Sequence, residues 1–330
     1  MSELTRRGFL RAVPAAAAVA AVAGTACRRA PYRASDFSVR DRSAVALLPA
    51  GSYEEDLGAT ISRGLAELDL PVRGRRVLLK PNMVEYEAGT AINTHAAVVA
   101  GAAEAFLRAG AREVVVGEGP GHRRDTEYLV TSTGLFERLR DLKVPFVDLN
   151  HDDVRMVPTR SWFTELREIA LPVSVLGADL VVSLPKLKTH HWAGMTCSMK
   201  NLFGVVPGAV YGWPKNLLHF RGIEHSILDL VATVRPAFAI VDAIVAMEGD
   251  GPIMGTPRLM GFLAMGADPV AVDATCARTI GLAPERLAYL ATAGEYLGNL
   301  RAEKIDQRGE RIERYATELE LVEHMKRLVK

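Results

Sequence analysis

A stretch of seventeen residues, "PKLKTHHWAGMTCSMKN" at 185–201, concentrates side chains of the kinds that bind ligands. It holds three lysines, two histidines, three hydroxyl groups and one cysteine. If the chain is extended over 186–190, the side chains of Lys186, Lys188 and His190 lie on one side, because side chains alternate along a strand. A helical turn that begins near Thr196 would add free N–H groups and a dipole that favour negative charge. The stretch therefore predicts a site for a phosphate, a carboxylate or a nucleotide tail.

Other polar residues also follow apolar runs. Lys80 and Asn82 follow "RVLL", Glu118 ends "EVVVGE", and Asp242 and Glu248 lie in "IVDAIVAMEGDG". In open α/β sheets ligands bind outside the carboxyl ends of the strands, so these residues are expected to share one site with the seventeen-residue stretch. The predicted ligand-binding residues are Lys80, Asn82, Lys186, Lys188, His190, Thr196, Lys200 and Asn201. No residue is assigned a catalytic role.

The acidic residues predict a second kind of ligand. Glu118, Asp242 and Glu248 are candidate ligands for a divalent metal, since carboxylate oxygens hold Mg²⁺, Mn²⁺ or Ca²⁺. The alternative role for the same carboxylates is general acid or base. Their spacing is not diagnostic of either role.

Several cofactors are not expected. The three cysteines, Cys27, Cys197 and Cys276, cannot supply the four thiolates of an iron–sulfur cluster. A G-x-G-x-x-G fingerprint is missing at the first strand-to-helix turn, so neither NAD nor FAD is predicted. Cys197 and Cys276 are interpreted as small buried side chains, with a disulfide between them as the alternative.

Apolar runs that alternate with amphipathic segments predict the elements that position these residues. This alternation is typical of βα units and a mostly parallel sheet covered on both faces. We expect a single large three-layer α/β domain over 43–330, with a small hairpin at 305–312. Strands are predicted at 43–48, 76–80, 113–117, 145–149, 179–184, 237–241 and 260–265. Helices are predicted near 54–68, 95–109, 127–141, 222–234, 268–279, 284–296 and 314–329.

The first 26 residues are typical of a twin-arginine export signal. Arg6 and Arg7 precede an Ala/Val-rich stretch, 12–26, that is shorter than the roughly 20 residues needed to span a bilayer. Cleavage after Ala26 would leave Cys27 as the first mature residue and a candidate for lipidation. We therefore predict a periplasmic or other extracytoplasmic protein, with the twin-arginine translocase as a transient partner and a lipid on Cys27 as the one route to a membrane. Residues 27–42 are expected to form a linker.

Composition and charge narrow the class of protein. Hydrophobic residues are 49% and charged residues 24% of the chain, as in an ordinary globular protein. Residues 1–26 carry three arginines and one glutamate of the 40 basic and 39 acidic residues, so the remainder has a net charge of −1. This balance argues against nucleic acid as a partner, because binding to nucleic acid depends on excess positive charge.

Five blocks of the sequence together resemble the DUF362 family, a domain of unknown function. They occur in order between about 43 and 300: "LLKPN", "VVGEGPG", "PKLKTHHWAGMTCSMKNLFGVVPG", "IVDAIVAMEGDGPIMGTP" and "ADPVAVDAT". The resemblance implies one domain and one site, and it leaves the activity open. Some members carry an appended ferredoxin-like cluster domain, which is not expected here.

Two classes of function follow. The first is an exported protein that binds an anionic small molecule or cofactor, as a metal-assisted hydrolase or transferase. The second is a non-catalytic protein that carries a cofactor or a metal for a redox partner. Stoichiometric metal or cofactor in the purified protein would distinguish them.

Overall fold

The computed structural model describes residues 30–121 and 125–329. The predicted signal peptide and Cys27 lie outside the described residues. The described residues from Pro31 onward form one compact unit.

A large sheet runs through this unit and is built mainly from Val-, Leu- and Ala-rich strands. In chain order the strands are β1 (Ser43–Pro49), β2 (Arg76–Pro81), β3 (Glu113–Glu118), β4 (Phe146–Asp148), β5 (Val154–Pro158), β6 (Glu168–Pro172), β7 (Leu180–Leu184), β8 (Lys186–His190), β9 (Gly194–Thr196), β10 (Phe238–Glu248), β11 (Thr256–Gly266) and β12 (Ile305–Gly309). The main path is β12-β1-β11-β10-β7-β2-β3-β4. Strand β8 pairs with β10 and β9, while β5 and β6 form a separate antiparallel pair.

Most pairs of the large sheet are parallel, as the sequence predicts. Strands β10, β7, β2, β3 and β4 are paired in parallel, and so are β1 with β12 and β8 with β10. Strand β11 runs antiparallel to both β1 and β10, and β9 runs antiparallel to β8. The carboxyl ends of β2, β3 and β7 therefore lie at one edge of the sheet.

The helices cover both faces of the sheet. They are α1 (Leu57–Glu67), α2 (Ala96–Arg108), α3 (Thr126–Ser132), α4 (Leu135–Asp141), α5 (Val173–Leu176), α6 (Gly208–Tyr211), α7 (Asn216–Phe220), α8 (Ile223–Val234), α9 (Pro269–Thr279), α10 (Ala288–Ala293) and α11 (Ile312–Tyr315). Short 3₁₀ turns include Lys200–Val205 and Glu323–Leu328. Every described helix is too short or too polar to cross a bilayer.

Alternation along the strands divides the core into two clusters. On β1, Val45 and Leu47 belong to the cluster that includes residues of α8, α9 and α10, whereas Ala46 and Leu48 belong to the cluster that includes residues of α1, α2, α3 and α4. Because successive side chains of a strand point to opposite faces, one buried strand contributes to both clusters. The predicted three-layer α/β architecture is confirmed.

Three predicted elements are wrong in detail. Residues 127–141 form two helices, because Gly134 between them adopts a positive φ of 71°. Residues 305–309 form a strand parallel to β1, so the hairpin is absent there. Of residues 314–329, Arg314 and Tyr315 end α11, and the rest is irregular backbone and a 3₁₀ turn from which Leu319, Met325 and Leu328 are buried.

The described part of the expected linker packs onto the domain. The ring of Tyr32 stacks on Tyr296 with 3.9 Å between centroids. Trp162 N donates a hydrogen bond of 2.8 Å to Pro31 O. From residue 31 onward the chain therefore belongs to the folded unit.

Candidate functional site

A cavity of about 480 Å³ lies at the carboxyl ends of β2, β3 and β8. Seven of the eight predicted ligand-binding residues line it, and Lys186 does not. The seven are Lys80, Asn82, Lys188, His190, Thr196, Lys200 and Asn201. One cavity therefore brings together residues that the sequence predicts to share a site.

Lys80 and Glu118 form a buried ion pair at the floor of the cavity. Lys80 Nζ lies 2.8 Å from Glu118 Oε2, and both side chains are 1% exposed. The amine also donates to Pro81 O and, at 3.0 Å, to Asn201 Oδ1. Glu118 accepts from the backbone N–H groups of Met83 and Gly119. Each charge is compensated inside the protein, so this pair holds β2, β3 and the turn after β9 together.

Asn201 is fixed by the same network. Its Nδ2 donates to Lys80 O at 2.9 Å and to Ser183 Oγ at 3.0 Å. Gly204, three residues further on, lies so close to the ion pair that a Cβ atom there would overlap Lys80 Nζ and Glu118 Oε1. A glycine at this position allows the 3₁₀ turn to pack directly on the pair.

Lys186 lies outside the cavity lining and has a different partner. Its Nζ lies 2.6 Å from Asp242 Oδ2 and donates to the Tyr53 hydroxyl at 2.8 Å. Asp242 also accepts from the Tyr53 hydroxyl and from His95 N. Burial lowers the pKa of Lys186 and the charge of Asp242 opposes that shift. Lys186 is thus held in a closed buried network.

Lys188 lines the cavity and donates to backbone oxygens. Its Nζ lies 2.8 Å from Ile92 O and 3.3 Å from Pro252 O. The structure shows no carboxylate partner for it among the described residues. Burial, followed by the charges of Lys200, Lys186 and Lys80, lowers its pKa well below the ordinary value. An anion in the cavity would favour the charged form of this amine.

His190 presents an N–H group to the cavity. Its Nδ1 accepts from the backbone N–H groups of Trp192 at 3.0 Å and Ala193 at 3.2 Å. The neutral ring therefore carries its proton on Nε2. Burial and the charge of Lys200 lower its pKa well below the ordinary value, so the ring is neutral at physiological pH. His190 acts here as a hydrogen-bond donor and adds no positive charge to the cavity.

Lys200 and two neutral groups in the cavity lack hydrogen-bond partners among the described residues. Lys200 is partly exposed, and its amine lies 5.2 Å from the centroid of the Phe203 ring. Burial, followed by the charge of Lys80, lowers the pKa of Lys200 to about 8. Asn82 Oδ1 and Thr196 Oγ1 are buried without a partner. Because buried polar groups normally have partners, these atoms point to a ligand or to bound water.

Lys215 is a cavity residue that the sequence analysis missed. Its Nζ donates to the carbonyl oxygens of Gly119 at 2.7 Å and Val206 at 2.5 Å, and more weakly to those of Phe203 and Gly204. Burial lowers its pKa to about 7. The one signal in the sequence is a lysine that follows twelve residues without a charged side chain, "FGVVPGAVYGWP".

The rim of the cavity has exposed apolar side chains beside charged ones such as Asp250, whose side chain is 54% exposed. Trp192 is 61% exposed and Met254 is 75% exposed, and both line the cavity. Two other aromatic residues follow Trp192 in the chain: Tyr211 is buried with its hydroxyl accepting from Ala170 N, and Trp213 packs against Gly208. Only Trp192 of these three lines the cavity in the described structure. A ligand in this cavity would contact polar groups at the floor and apolar ones at the rim.

The three predicted metal ligands lie apart. Glu118 is paired with Lys80 and Asp242 with Lys186, while Glu248 accepts from Glu320 N at 3.1 Å and lies 3.8 Å from Arg258. Among residues 30–121 and 125–329, no three His, Cys, Asp or Glu side chains are grouped as a metal ion requires. Metal binding by these residues stays a prediction.

Two acidic side chains outside the cavity lining have structural roles. Asp268 caps α9 by accepting from the N–H groups of Val270 and Ala271, as expected for a helix that Pro269 opens. Asp273 accepts from Ser198 N, Ser198 Oγ and Met199 N, which fixes the turn before Lys200. The cysteines Cys197 and Cys276 are buried and free, as the packing interpretation predicts.

Residues 77–278 match the model of one protein family, DUF362, described as a domain of unknown function. The thylakoid-associated protein sll1697 of a Synechocystis species is 32% identical over 231 residues, which are 68% of this chain and 68% of that protein.

Among solved structures, the lactate racemase apoprotein from Thermoanaerobacterium thermosaccharolyticum is similar at 12% identity with a TM-score of 0.44, over 71% of this chain and 57% of that one. A Thermotoga maritima protein is similar at 13% identity with a TM-score of 0.38, over 66% of this chain and 58% of that one. This chain thus spans less than two thirds of either structure, and neither likeness bears on activity.

Proposed function

The chain belongs to the DUF362 family, a domain of unknown function, and we propose that its cavity binds a small organic anion, with a carboxylate or phosphate on an apolar body. One observation carries the proposal: Lys188 and Lys200 line one cavity without a carboxylate partner in the described chain. Uncompensated amines in a desolvated site favour an anionic ligand, which restores their charged form.

Neutral groups of the cavity support the same ligand class. The Nε2–H of His190 is a hydrogen-bond donor, and the unpartnered Thr196 hydroxyl is a donor or an acceptor. The exposed rim side chains Trp192 and Met254 suit an apolar body. A bare inorganic anion would leave that rim without a partner.

Metal-assisted hydrolysis or transfer, the reaction class expected from the sequence, is less well supported. Glu118 and Asp242 would have to leave lysine partners at 2.8 Å and 2.6 Å to bind a metal. Separating either buried pair leaves an uncompensated charge, which typically costs about 3–5 kcal/mol. Anion binding needs no such rearrangement.

Titration calorimetry tests the anion site. We expect phenyl phosphate and benzoate to bind, and neutral benzamide of the same shape not to bind. Lys188→Met and Lys200→Met should each weaken binding at least about tenfold, because each removes a charged donor. Lys326→Met is the matched control, since that lysine is 61% exposed, is paired with Glu323 and does not line the cavity. Equal binding of benzamide, or unchanged affinity in both cavity variants, would reject the proposal.

We also propose that the protein is exported through the twin-arginine pathway and works outside the cytoplasm, with a lipid attached to Cys27. The support is the Arg6–Arg7 pair and the small residues before Cys27, together with a relative described as thylakoid-associated. In cell fractionation, the double variant Arg6→Lys/Arg7→Lys should stay in the cytoplasm as precursor, while Arg11→Lys should be exported. Labelling with a fatty acid should be lost in Cys27→Ser. Export of the double variant at the normal level would contradict the proposal.

A further inference from the structure

The five lysine amines of this region differ in what holds them. The amines of Lys80 and Lys186 are paired with carboxylates. The amines of Lys188 and Lys215 donate hydrogen bonds to backbone carbonyl oxygens. For Lys200 the described residues supply no oxygen acceptor, and its amine lies over the Phe203 ring at 5.2 Å from the centroid. It is also partly exposed and lines the cavity. Lys200 is therefore the cavity-lining lysine whose amine has no oxygen acceptor among the described residues.

A lysine amine attacks carbon only when it is neutral. Burial and the neighbouring charge of Lys80 lower the pKa of Lys200 to about 8. At pH 7 about a tenth of the amine is then unprotonated, far more than for an exposed lysine. Desolvation and a neighbouring cation are a known way in which proteins activate lysine as a nucleophile.

The groups beside Lys200 suit a carbonyl compound that also carries a negative charge. Lys200 and Lys188 both lie close enough to His190 for their charges to lower its pKa. Lys188 and the His190 Nε2–H can hold a carboxylate, while the unpartnered oxygens of Asn82 and Thr196 line the same cavity and can accept a hydrogen bond. A cavity of about 480 Å³ is large enough for a small acid.

Resting on the proposed anion site, we propose that Lys200 forms a Schiff base with the carbonyl carbon of a 2-oxo acid. The Nζ lone pair forms the N–C bond, and the C=O π pair moves to oxygen, which takes a proton given up by the nitrogen. The nitrogen lone pair then expels this hydroxyl group, which leaves as water after taking one proton from solvent. The product is an iminium ion that keeps the second amine hydrogen. No oxidant or reductant is needed.

Borohydride trapping tests this step. The protein is incubated with pyruvate, reduced with sodium borohydride, digested and sequenced by mass spectrometry. We expect one stable reduced adduct, located on Lys200. It should be lost in Lys200→Arg and retained in Lys326→Met. A protein without an adduct, or adducts spread over surface lysines, would overturn the proposal.

Wild-type protein gives two further tests that do not depend on how a variant folds. Excess phenyl phosphate should suppress the adduct, because it occupies the same cavity, and benzamide should not. Adduct yield should rise between pH 7 and pH 8.5 as Lys200 loses its proton. Calorimetry on the same preparation separates the two proposals: phenyl phosphate binding without an adduct rejects the Schiff base alone, whereas the loss of both rejects the anion site as well.

Discussion

Lys186 and Lys188 lie two residues apart on β8, yet in the described structure Lys186 has a carboxylate partner at 2.6 Å and Lys188 donates to backbone oxygens. The first amine is enclosed with Asp242 and Tyr53, and the second lines the cavity. Substitutions at these two positions should therefore separate stability from ligand binding.

Asp242→Asn should destabilise the protein strongly. The amide cannot neutralise Lys186, which would remain buried beside it, and loss of one partner of a buried pair costs about 3–5 kcal/mol. Urea denaturation measures the free energy of unfolding. Asp306→Asn, which breaks the exposed pair with Arg42, is the matched control and should change stability little. Equal losses of unfolding free energy in the two variants would show that the buried Asp242–Lys186 pair stabilises the protein no more than the exposed Asp306–Arg42 pair.

Gly204→Ala should destabilise the protein through the floor of the cavity. Its Cβ would overlap Lys80 Nζ and Glu118 Oε1, which are fixed by each other and by Asn201. Overpacking of this kind costs about 1–3 kcal/mol, and a separated pair costs more. Gly51→Ala is the control, since its Cβ would meet the flexible end of Glu55 at 3.2 Å. A Gly204 variant as stable as the Gly51 variant in urea would contradict the close packing of Gly204 on the Lys80–Glu118 pair.

Lys215→Met should destabilise the wall of the cavity and change how stability depends on pH. Removing the amine leaves the carbonyl oxygens of Gly119 and Val206 without a donor. A buried polar group left without its partner lowers the free energy of unfolding by about 1–3 kcal/mol. Because the folded pKa is about 7 and the unfolded value 10.5, the unfolded chain holds more protons between these values. The contribution of Lys215 to stability therefore rises with pH across this window. Chemical denaturation at pH 7, 8 and 9 should show a shallower rise in Lys215→Met than in the wild type; a parallel rise would refute the assignment.

The affinity for phenyl phosphate should fall as pH rises, whereas the contribution of Lys215 to stability increases with pH. Binding favours the charged form of Lys200, whose pKa is about 8 in the free protein. Affinity should thus be nearly constant below that pH and fall as pH rises, by up to about tenfold per unit. Calorimetry from pH 6.5 to 9.5 checks this, after correction for the second ionisation of the phosphate. In Lys200→Met the decline near pH 8 should vanish, and its persistence would assign the titration to another group.

The sequence predicts the strands of the sheet better than it predicts the hydrogen-bond partners of the buried lysines. Runs such as "VLLK" and "VVVGE" are apolar enough to require burial on both faces, so β2 and β3 are predicted within a residue or two. Strand β8 is too polar to be predicted as buried, and its lysines are tolerated because acceptors come from β10 and from the loop at Ile92. Because these acceptors lie far from β8 in the sequence, no local sequence pattern predicts that its lysines are buried.

The position of the candidate site is predictable, but the role of each residue in it is not. Strand ends gather at one edge of the sheet, which explains why seven of eight predicted residues line the cavity. Which lysine is paired depends on contacts such as Lys186 with Asp242, 56 residues apart, and Lys80 with Glu118, 38 apart. Lys215 escaped prediction because its acceptors are backbone oxygens, which carry no sequence signature.

The contacts that build the cavity join segments far apart in the chain: Lys80 with Asn201 over 121 residues, and Lys188 with Ile92 and Lys215 with Gly119 over 96 residues each. Contacts of such separation form late, because long loops must close first. The cavity is therefore expected to exist only once the whole sheet has assembled. A ligand added during refolding would then slow unfolding and shift the final equilibrium toward the native state, and it would leave the early folding steps unchanged.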